Sequence, residues 1–239
     1  MKKRIIITLY IMLAAMLMMA CGSSKQADTN NNGSDKNDIS QVENKKPEQE
    51  KIEPKYKVVI DAGHGGEDGG SSGASGSLEK DFTLSLSQKV EQLLDQDPEI
   101  QVFMTRENDV FLSAEEKIRP QFANDLGADI FVSIHGNTFT DPSVSGTESF
   151  YYYDEDKPLA DAIHKYLAPA TGFNDRGVKY NSLFVLRDTT MPATLLEIGY
   201  LTNPEDEQKM LTDEFQQTVA ESIVKGIKEY LEVNLSKDE

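Results

Sequence analysis

The chain has 239 residues, a length that suits one domain with appendages. It carries 24 Lys and Arg against 41 Asp and Glu, a formal net charge of −17. This balance argues against nucleic-acid binding, because phosphate backbones are bound by clustered cations. Cys21 is the single cysteine, so an intramolecular disulfide is excluded and a packed core must supply the stability.

The first 21 residues have the layout of a secretory signal. Lys2, Lys3 and Arg4 precede an apolar run that ends at Cys21. The segment MMACGSS resembles the lipobox of bacterial lipoproteins, with Met18 where leucine is usual. That resemblance implies cleavage before Cys21 and lipidation of its sulfur. The alternative is an uncleaved anchor helix. A membrane-spanning helix needs ~20 apolar residues, and this run is shorter. Both interpretations place the rest of the chain outside the cytoplasm.

Residues 22–55 form a polar segment with four apolar residues in 34. Such a composition buries too little surface to fold, so we expect a disordered linker. Residues 56–239 are then the predicted folded domain, with 15 basic and 34 acidic side chains and a net charge of −19. This domain should find its target through specific contacts and not through bulk attraction to anionic polymers.

Strands and helices alternate after residue 56. Short apolar runs predict strands at residues 57–61, 101–105, 129–135, 147–153, 183–186 and 193–197. Helical spacing predicts helices at residues 78–94, 113–126, 156–167, 204–211 and 215–235, with a capping box from Ser113 to Glu116 and a kink at Pro120. The alternation favours a single α/β domain: a twisted, mostly parallel sheet of about six strands with helices on both faces.

Three chemically active side chains follow predicted strands. His64 lies in DAGHGGEDGG, His135 in VSIHGN and Glu197 in ATLLEIGY. Open α/β sheets bind ligands outside the carboxyl ends of their strands, so these residues can converge there. Glu79 opens the next predicted helix and can lie near the same edge. His164, within ADAIHKYL, is expected to be a half-buried structural helix residue.

Two imidazoles and a carboxylate make a ligand set that catalytic zinc uses, with a fourth position left for water. In this arrangement Glu79 is the candidate ligand, and Glu197 is the candidate carrier of a proton from water to a leaving nitrogen. Each residue also has a structural explanation, since a glutamate at a helix start commonly pairs with the helix dipole. The glycine-rich loop alone is a weak phosphate signal, because GK[ST] and a spaced GxGxxG are absent.

Several separate motifs together resemble the zinc-dependent N-acetylmuramoyl-L-alanine amidases of the bacterial cell wall. These are DAGHGGEDGG, LEKDFTLSL, MTREND, RPQFAN, DIFVSIHGN and NSLFVLRDTTMPATLLEIGYLTN, which occur in this order between residues 56 and 233. The resemblance implies one zinc ion bound by His64, Glu79 and His135, with Glu197 as catalytic acid and base. Asp61 and Asn137 also match motif positions and would orient ligands or contact substrate.

Departures from the family pattern leave the implied site intact. Ala62 replaces a common proline, Gly136 a common alanine and Tyr200 a common phenylalanine. Some members carry an inserted helix that blocks the zinc site, and the 61 residues between His135 and Glu197 leave little room for one.

The expected activity is hydrolysis of the amide between N-acetylmuramic acid and L-alanine in peptidoglycan. A zinc peptidase or deacetylase acting on the wall, and a non-catalytic wall-binding lipoprotein, remain alternatives. The expected partners are peptidoglycan and, through the lipid, a membrane. No activating protein or oligomeric state is indicated.

Overall fold

The computed structural model describes residues 53–235, so the predicted signal, Cys21 and most of the predicted linker lie outside the described residues. The strands are β1 (Tyr56–Ala62), β2 (Ile100–Met104), β3 (Ile130–Asn137), β4 (Thr147–Tyr151), β5 (Asp175–Tyr180) and β6 (Ala193–Tyr200). The helices are α1 (Glu79–Leu94), α2 (Ile118–Leu126), α3 (Lys157–Thr171), α4 (Phe184–Arg187), α5 (Pro204–Met210) and α6 (Asp213–Tyr230). Within residues 53–235, no helix combines the length and the apolar character that a membrane crossing requires.

The six strands form one sheet in the order β2-β1-β3-β6-β4-β5. Neighbouring strands run parallel except for β6 and β4, which pair antiparallel. The carboxyl ends of β1, β3 and β6 therefore meet at one edge, which we call the carboxyl edge. The predicted α/β class and the mostly parallel sheet are confirmed.

Alternate residues of each central strand enter two different cores, as the two-residue repeat of a strand requires. Val58, Ile60 and Ile134 face the larger core, which α1, α3 and α6 cover. Val59 and Phe131 face the smaller core, where α2 and α4 pack. Helices on both faces leave the carboxyl edge as the place where polar side chains can gather.

The predicted strand at residues 183–186 is wrong. Val185 and Leu186 lie on the short helix α4 and fill the smaller core. An apolar run of four residues has no periodicity that distinguishes a strand from a helical turn. The missing sixth strand is β5, whose sequence DRGVKY is largely polar because it forms the edge of the sheet.

The start of α2 also differs from the prediction. Ser113 Oγ accepts a hydrogen bond from the backbone N–H of Glu116 at 3.1 Å, but Lys117 adopts a left-handed conformation and α2 begins at Ile118. Pro120 therefore lies in the first helical turn, where its missing N–H costs nothing, and the expected kink is wrong.

His164 lies on α3 and has a structural role, as expected, but it is buried and not half-buried. Its Nδ1 lies 2.9 Å from Ser149 Oγ, and its Nε2 lies 2.8 Å from Asp175 Oδ1. Ser149 is fully buried, which denies a substrate access to this Ser–His–Asp arrangement. The three side chains tie α3 to β4 and β5.

Candidate active site

The glycine-rich loop after β1 presents His64 at the carboxyl edge. Its φ of 61° lies in the left-handed region that residues other than glycine rarely adopt. His64 Nδ1 lies 2.9 Å from Asp68 Oδ2, and Nε2 lies 3.1 Å from Glu79 Oε1. Burial lowers the pKa of His64, but the carboxylates of Glu79 and Asp68 outweigh burial and raise it above its ordinary value. Asp68 thus orients the ring with Nε2 toward Glu79.

Glu79, the first residue of α1, is buried between the two histidines. Its Oε2 accepts a hydrogen bond from the backbone N–H of Ser71 at 2.8 Å. Its Oε1 accepts one from the backbone N–H of Gly136 at 3.1 Å and lies 3.0 Å from His135 Nδ1. Burial alone would raise the pKa of Glu79, but the imidazoles of His135 and His64 hold it well below its usual range.

His64, Glu79 and His135 offer three ligand atoms within 4.8 Å of one another. In the described part of the chain this is the one such group of His, Cys, Asp or Glu side chains. Two nearby glycines allow these three side chains to come this close together. A Cβ at Gly63 would lie 2.3 Å from His135 Cε1, and one at Gly70 would lie 2.7 Å from the Glu79 carboxyl group. The donor set and its spacing fit a zinc ion.

Glu197 lies on β6, directly opposite His135 on β3 and Glu148 on β4. Its Oε2 is buried and has no hydrogen-bond partner among residues 53–235. Burial raises the pKa of Glu197 well above its usual range, and the negative charges of Glu79 and Glu148 add to the effect. A buried carboxyl oxygen without a partner is unusual in a core and common at catalytic centres.

Asn137, at the end of β3, contacts Glu148 on β4. Asn137 Nδ2 donates to Glu148 Oε1 at 2.6 Å, and the Tyr200 hydroxyl donates to the same oxygen at 2.8 Å. The Lys179 ammonium donates to the other oxygen. Burial would raise the pKa of Glu148, but Lys179, Tyr200 and the charge of Arg176 outweigh burial and lower it. Burial and the Glu148 carboxylate raise the pKa of Tyr200 to about 12.

Asp61 is fully buried beneath the cluster and out of reach of a substrate. Its carboxylate accepts hydrogen bonds from Arg119 at 2.5 Å and from Ser133 and Thr105 at 2.6 Å. Burial would raise the pKa of Asp61, but these partners outweigh it and lower the pKa below its ordinary value. Arg119 also donates to the backbone carbonyl of His64 at 2.5 Å, so Asp61 supports the histidine loop indirectly.

The three ligand candidates therefore converge, and Glu197 joins them from the neighbouring strand. Asp61 contacts Arg119, and Asn137 contacts Glu148. Sequence reasoning missed these partners, Arg119 and Glu148, although both are charged residues within buried segments, and that was the available signal. The site is open, because the side chains of the two histidines are 24% and 16% exposed.

The family model for N-acetylmuramoyl-L-alanine amidase matches residues 58–229. The chain is 40% identical over 177 residues to the uncharacterized protein YqiI of Bacillus subtilis, across 72% of this chain and 84% of YqiI. It is 33% identical over 175 residues to the probable cell wall amidase LytH of Staphylococcus aureus, across 72% of this chain. That match spans 57% of LytH, little more than half of its length.

The fold is also similar to a solved amidase. The catalytic domain of CwlV, the N-acetylmuramoyl-L-alanine amidase of Bacillus (Paenibacillus) polymyxa, shows a TM-score of 0.73 and 46% identity. The similarity covers 75% of this chain and 99% of the CwlV domain. Because the family model matches well over half of the chain and includes all three residues of the carboxyl-edge cluster, this chain belongs to the N-acetylmuramoyl-L-alanine amidase family.

Proposed function

We propose that this chain is a zinc-dependent peptidoglycan hydrolase that cleaves the amide bond between N-acetylmuramic acid and the first L-alanine of the stem peptide. One observation carries the proposal: three metal-ligating side chains converge beside the buried, unpartnered carboxyl oxygen of Glu197. Family membership gives the class of reaction, and the contacts at the carboxyl edge support the role of each residue.

His64, Glu79 and His135 would hold one zinc ion per chain. Bound zinc supplies Lewis acidity, which polarises a carbonyl and makes water acidic near neutral pH. Hydrogen bonds within the protein already orient two of these ligand side chains. Asp68 fixes the ring of His64, and the backbone N–H groups of Ser71 and Gly136 hold both oxygens of Glu79. Such hydrogen bonds orient the ligands and increase the affinity for the metal.

Glu197 is the acid and base of this proposal. Burial and the charges of Glu79 and Glu148 raise the pKa of Glu197, as suits a group that takes up a proton and gives it back. Its Oε2 has no competing partner within residues 53–235, so it can take the proton of the attacking water. The same oxygen then delivers that proton to the alanine nitrogen as the amide bond breaks.

The metal assignment is tested by zinc content. Purified protein should contain about one zinc per chain, and Glu79→Ala should lose most of the zinc and the activity, because two imidazoles bind zinc weakly without a third ligand. Glu115→Ala, which alters an exposed carboxylate, is the matched control and should keep both. If Glu79→Ala retains full stoichiometry and activity, Glu79 is not a ligand.

The bond that is cut is tested by muropeptide analysis with and without a chelator. Intact stem peptides with new L-alanine amino termini, formed only without chelator, support the amidase. Cuts within the peptide would indicate a zinc peptidase, and loss of acetyl groups a deacetylase. Absence of product would favour a non-catalytic wall-binding protein.

The proposed substrate lies outside the cytoplasm, so the enzyme acts there. A lipid on Cys21 would hold the enzyme at the outer face of a membrane, and the polar segment after it would let the enzyme reach nearby peptidoglycan. This part of the proposal rests on the lipobox-like sequence alone, because Cys21 lies outside the described residues.

A further inference from the structure

Two cationic side chains lie beside the proposed catalytic centre and have no part in the scheme above. Arg176 and Lys179 belong to the edge strand β5, and both pair with Glu148. Arg176 Nε lies 3.7 Å from Glu148 Oε1, and the Lys179 ammonium donates to Oε2. The cations are 37% and 42% exposed, whereas the Glu148 side chain is 6% exposed. They extend from a buried carboxylate to the surface.

The register of the sheet places this pair next to Glu197. His135, Glu197, Glu148 and Gly177 are successive Cα partners across β3, β6, β4 and β5. Adjacent strands lie about 4.8 Å apart, so the backbone at Glu148 is about 5 Å from that at Glu197, and β5 is about 10 Å away. The side chain of Lys179 spans the second of these gaps by reaching Glu148.

The group formed by Arg176, Lys179 and Glu148 carries a net positive charge. Glu148 neutralises one of two cations, which leaves one net positive charge inside a predicted domain of net charge −19. An ammonium carries three donors and a guanidinium five. The contacts to Glu148 engage one donor of Lys179 and one nitrogen of Arg176. Arg176 also lies over the Tyr200 ring at 5.3 Å, which limits its movement. Among residues 53–235 the other N–H donors of these two side chains have no hydrogen-bond acceptor, so they can bind an anion.

We propose that Arg176 and Lys179 form a carboxylate-binding subsite for the second residue of the stem peptide, with Glu148 as the residue that positions them. This inference rests on the proposed function. In peptidoglycan that residue is D-glutamate linked through its γ-carboxyl group, so its α-carboxylate is free or amidated. An extended residue spans about 3.5 Å, so this carboxylate lies about 7 Å from the scissile nitrogen. This distance of about 7 Å lies between one and two strand spacings, about 5 and 10 Å, which separate Glu197 from Glu148 and from β5.

The test compares two substrates that differ in one group: N-acetylmuramoyl-L-alanyl-D-glutamate and N-acetylmuramoyl-L-alanyl-D-isoglutamine. The zinc-loaded wild-type enzyme should favour the α-carboxylate by about tenfold in kcat/KM, the size expected for a charged hydrogen bond. Lys179→Met should bring the ratio of the two values close to one. Lys165→Met removes an exposed lysine that pairs with Glu229 on the helical face, and should keep the wild-type ratio.

A binding measurement separates recognition from catalysis. Calorimetry on the zinc-loaded Glu197→Gln variant should show tighter binding of L-alanyl-D-glutamate than of L-alanyl-D-isoglutamine, and adding Lys179→Met should remove the difference. Equal values for both ligands in the wild-type background, or an unchanged ratio in a Lys179→Met protein with native Tm, would overturn the subsite. If the wild type cleaves neither substrate, the proposed function fails, and the calorimetry still decides the subsite.

Discussion

Glu79 and Glu197 are carboxylic acids at the same edge of the sheet, yet their surroundings shift their pKa values in opposite directions. Glu79 contacts two imidazoles and two backbone N–H groups, so its charge is stabilised. Glu197 has a buried oxygen that no other described residue contacts by a hydrogen bond, and Glu79 and Glu148 add like charge, so its charge is disfavoured. Such a divergence separates a group that stays ionised from a group that exchanges a proton.

Glu197→Gln should therefore abolish turnover without affecting the metal. Glutamine has nearly the same shape but cannot carry the proton, so the rate should fall roughly 10²–10⁴-fold. Zinc content and Tm should stay close to the wild-type values. Glu115→Gln is the exposed control and should retain full activity. Wild-type activity in Glu197→Gln would exclude the proposed role.

Asp61 is predicted to matter for stability and not for contact with substrate. Asp61→Asn leaves Arg119 buried without a counter-ion, a change that typically lowers the free energy of unfolding by about 3–5 kcal/mol. Because the folded-state pKa of Asp61 is lowered, its contribution is present above the unfolded-state pKa of about 3.9 and is lost as the pH falls through the folded value.

The stability gap between wild type and Asp61→Asn should accordingly be large at pH 7 and should shrink below about pH 4. Urea unfolding at both pH values measures it. Asp125→Asn changes an exposed carboxylate on α2 and should leave the unfolding free energy within about 0.5 kcal/mol. A gap that is constant between pH 7 and pH 3 would show that the Asp61 charge does not stabilise the fold.

Between elements, the contact of α6 with α3 depends on a residue without a side chain. A Cβ at Gly226 would lie 2.4 Å from Ile163 Cα on α3. Gly226→Ala should therefore lower the free energy of unfolding by about 1–3 kcal/mol, although alanine is the better helix former. Glu221→Ala on the exposed side of α6 should change it by less than about 0.5 kcal/mol. Chemical denaturation of both variants measures the difference, and a stabilised Gly226→Ala protein would contradict the close packing.

The central strands and the edge strand β2 were predictable, whereas the edge strand β5 and helix α4 were not. Strands β1, β3 and β6 carry near-continuous apolar runs, because helices bury both of their faces. Strand β5 pairs on one side only, so polar residues are tolerated and the apolar signal is lost. Helix α4 carries an apolar run that is too short to show a period, and only its packing beneath the sheet decides its conformation.

For the whole molecule, attachment to a membrane is a separate question from catalysis. Cys21→Ser should abolish incorporation of a clickable fatty acid in cells and the cleavage that depends on it, whereas zinc binding should persist, because the proposed ligands lie more than 40 residues away in sequence. Each buried lipid CH₂ contributes about 0.8 kcal/mol, so two or more chains anchor a protein stably. Label retained by Cys21→Ser, or absent from the wild type, would refute the lipoprotein assignment and leave the amidase proposal intact.

Local patterns in the sequence determined the α/β class, the core strands and the set of His64, Glu79, His135 and Glu197 as candidates, because residue types and periodicities are local properties. Tertiary structure alone decided which of these side chains meet. The antiparallel pairing of β4 with β6 sets Glu148 beside Glu197, and the parallel pairing of β5 with β4 brings Lys179 to Glu148. Strand order and register depend on packing of the whole chain, and a window of neighbouring residues does not contain them.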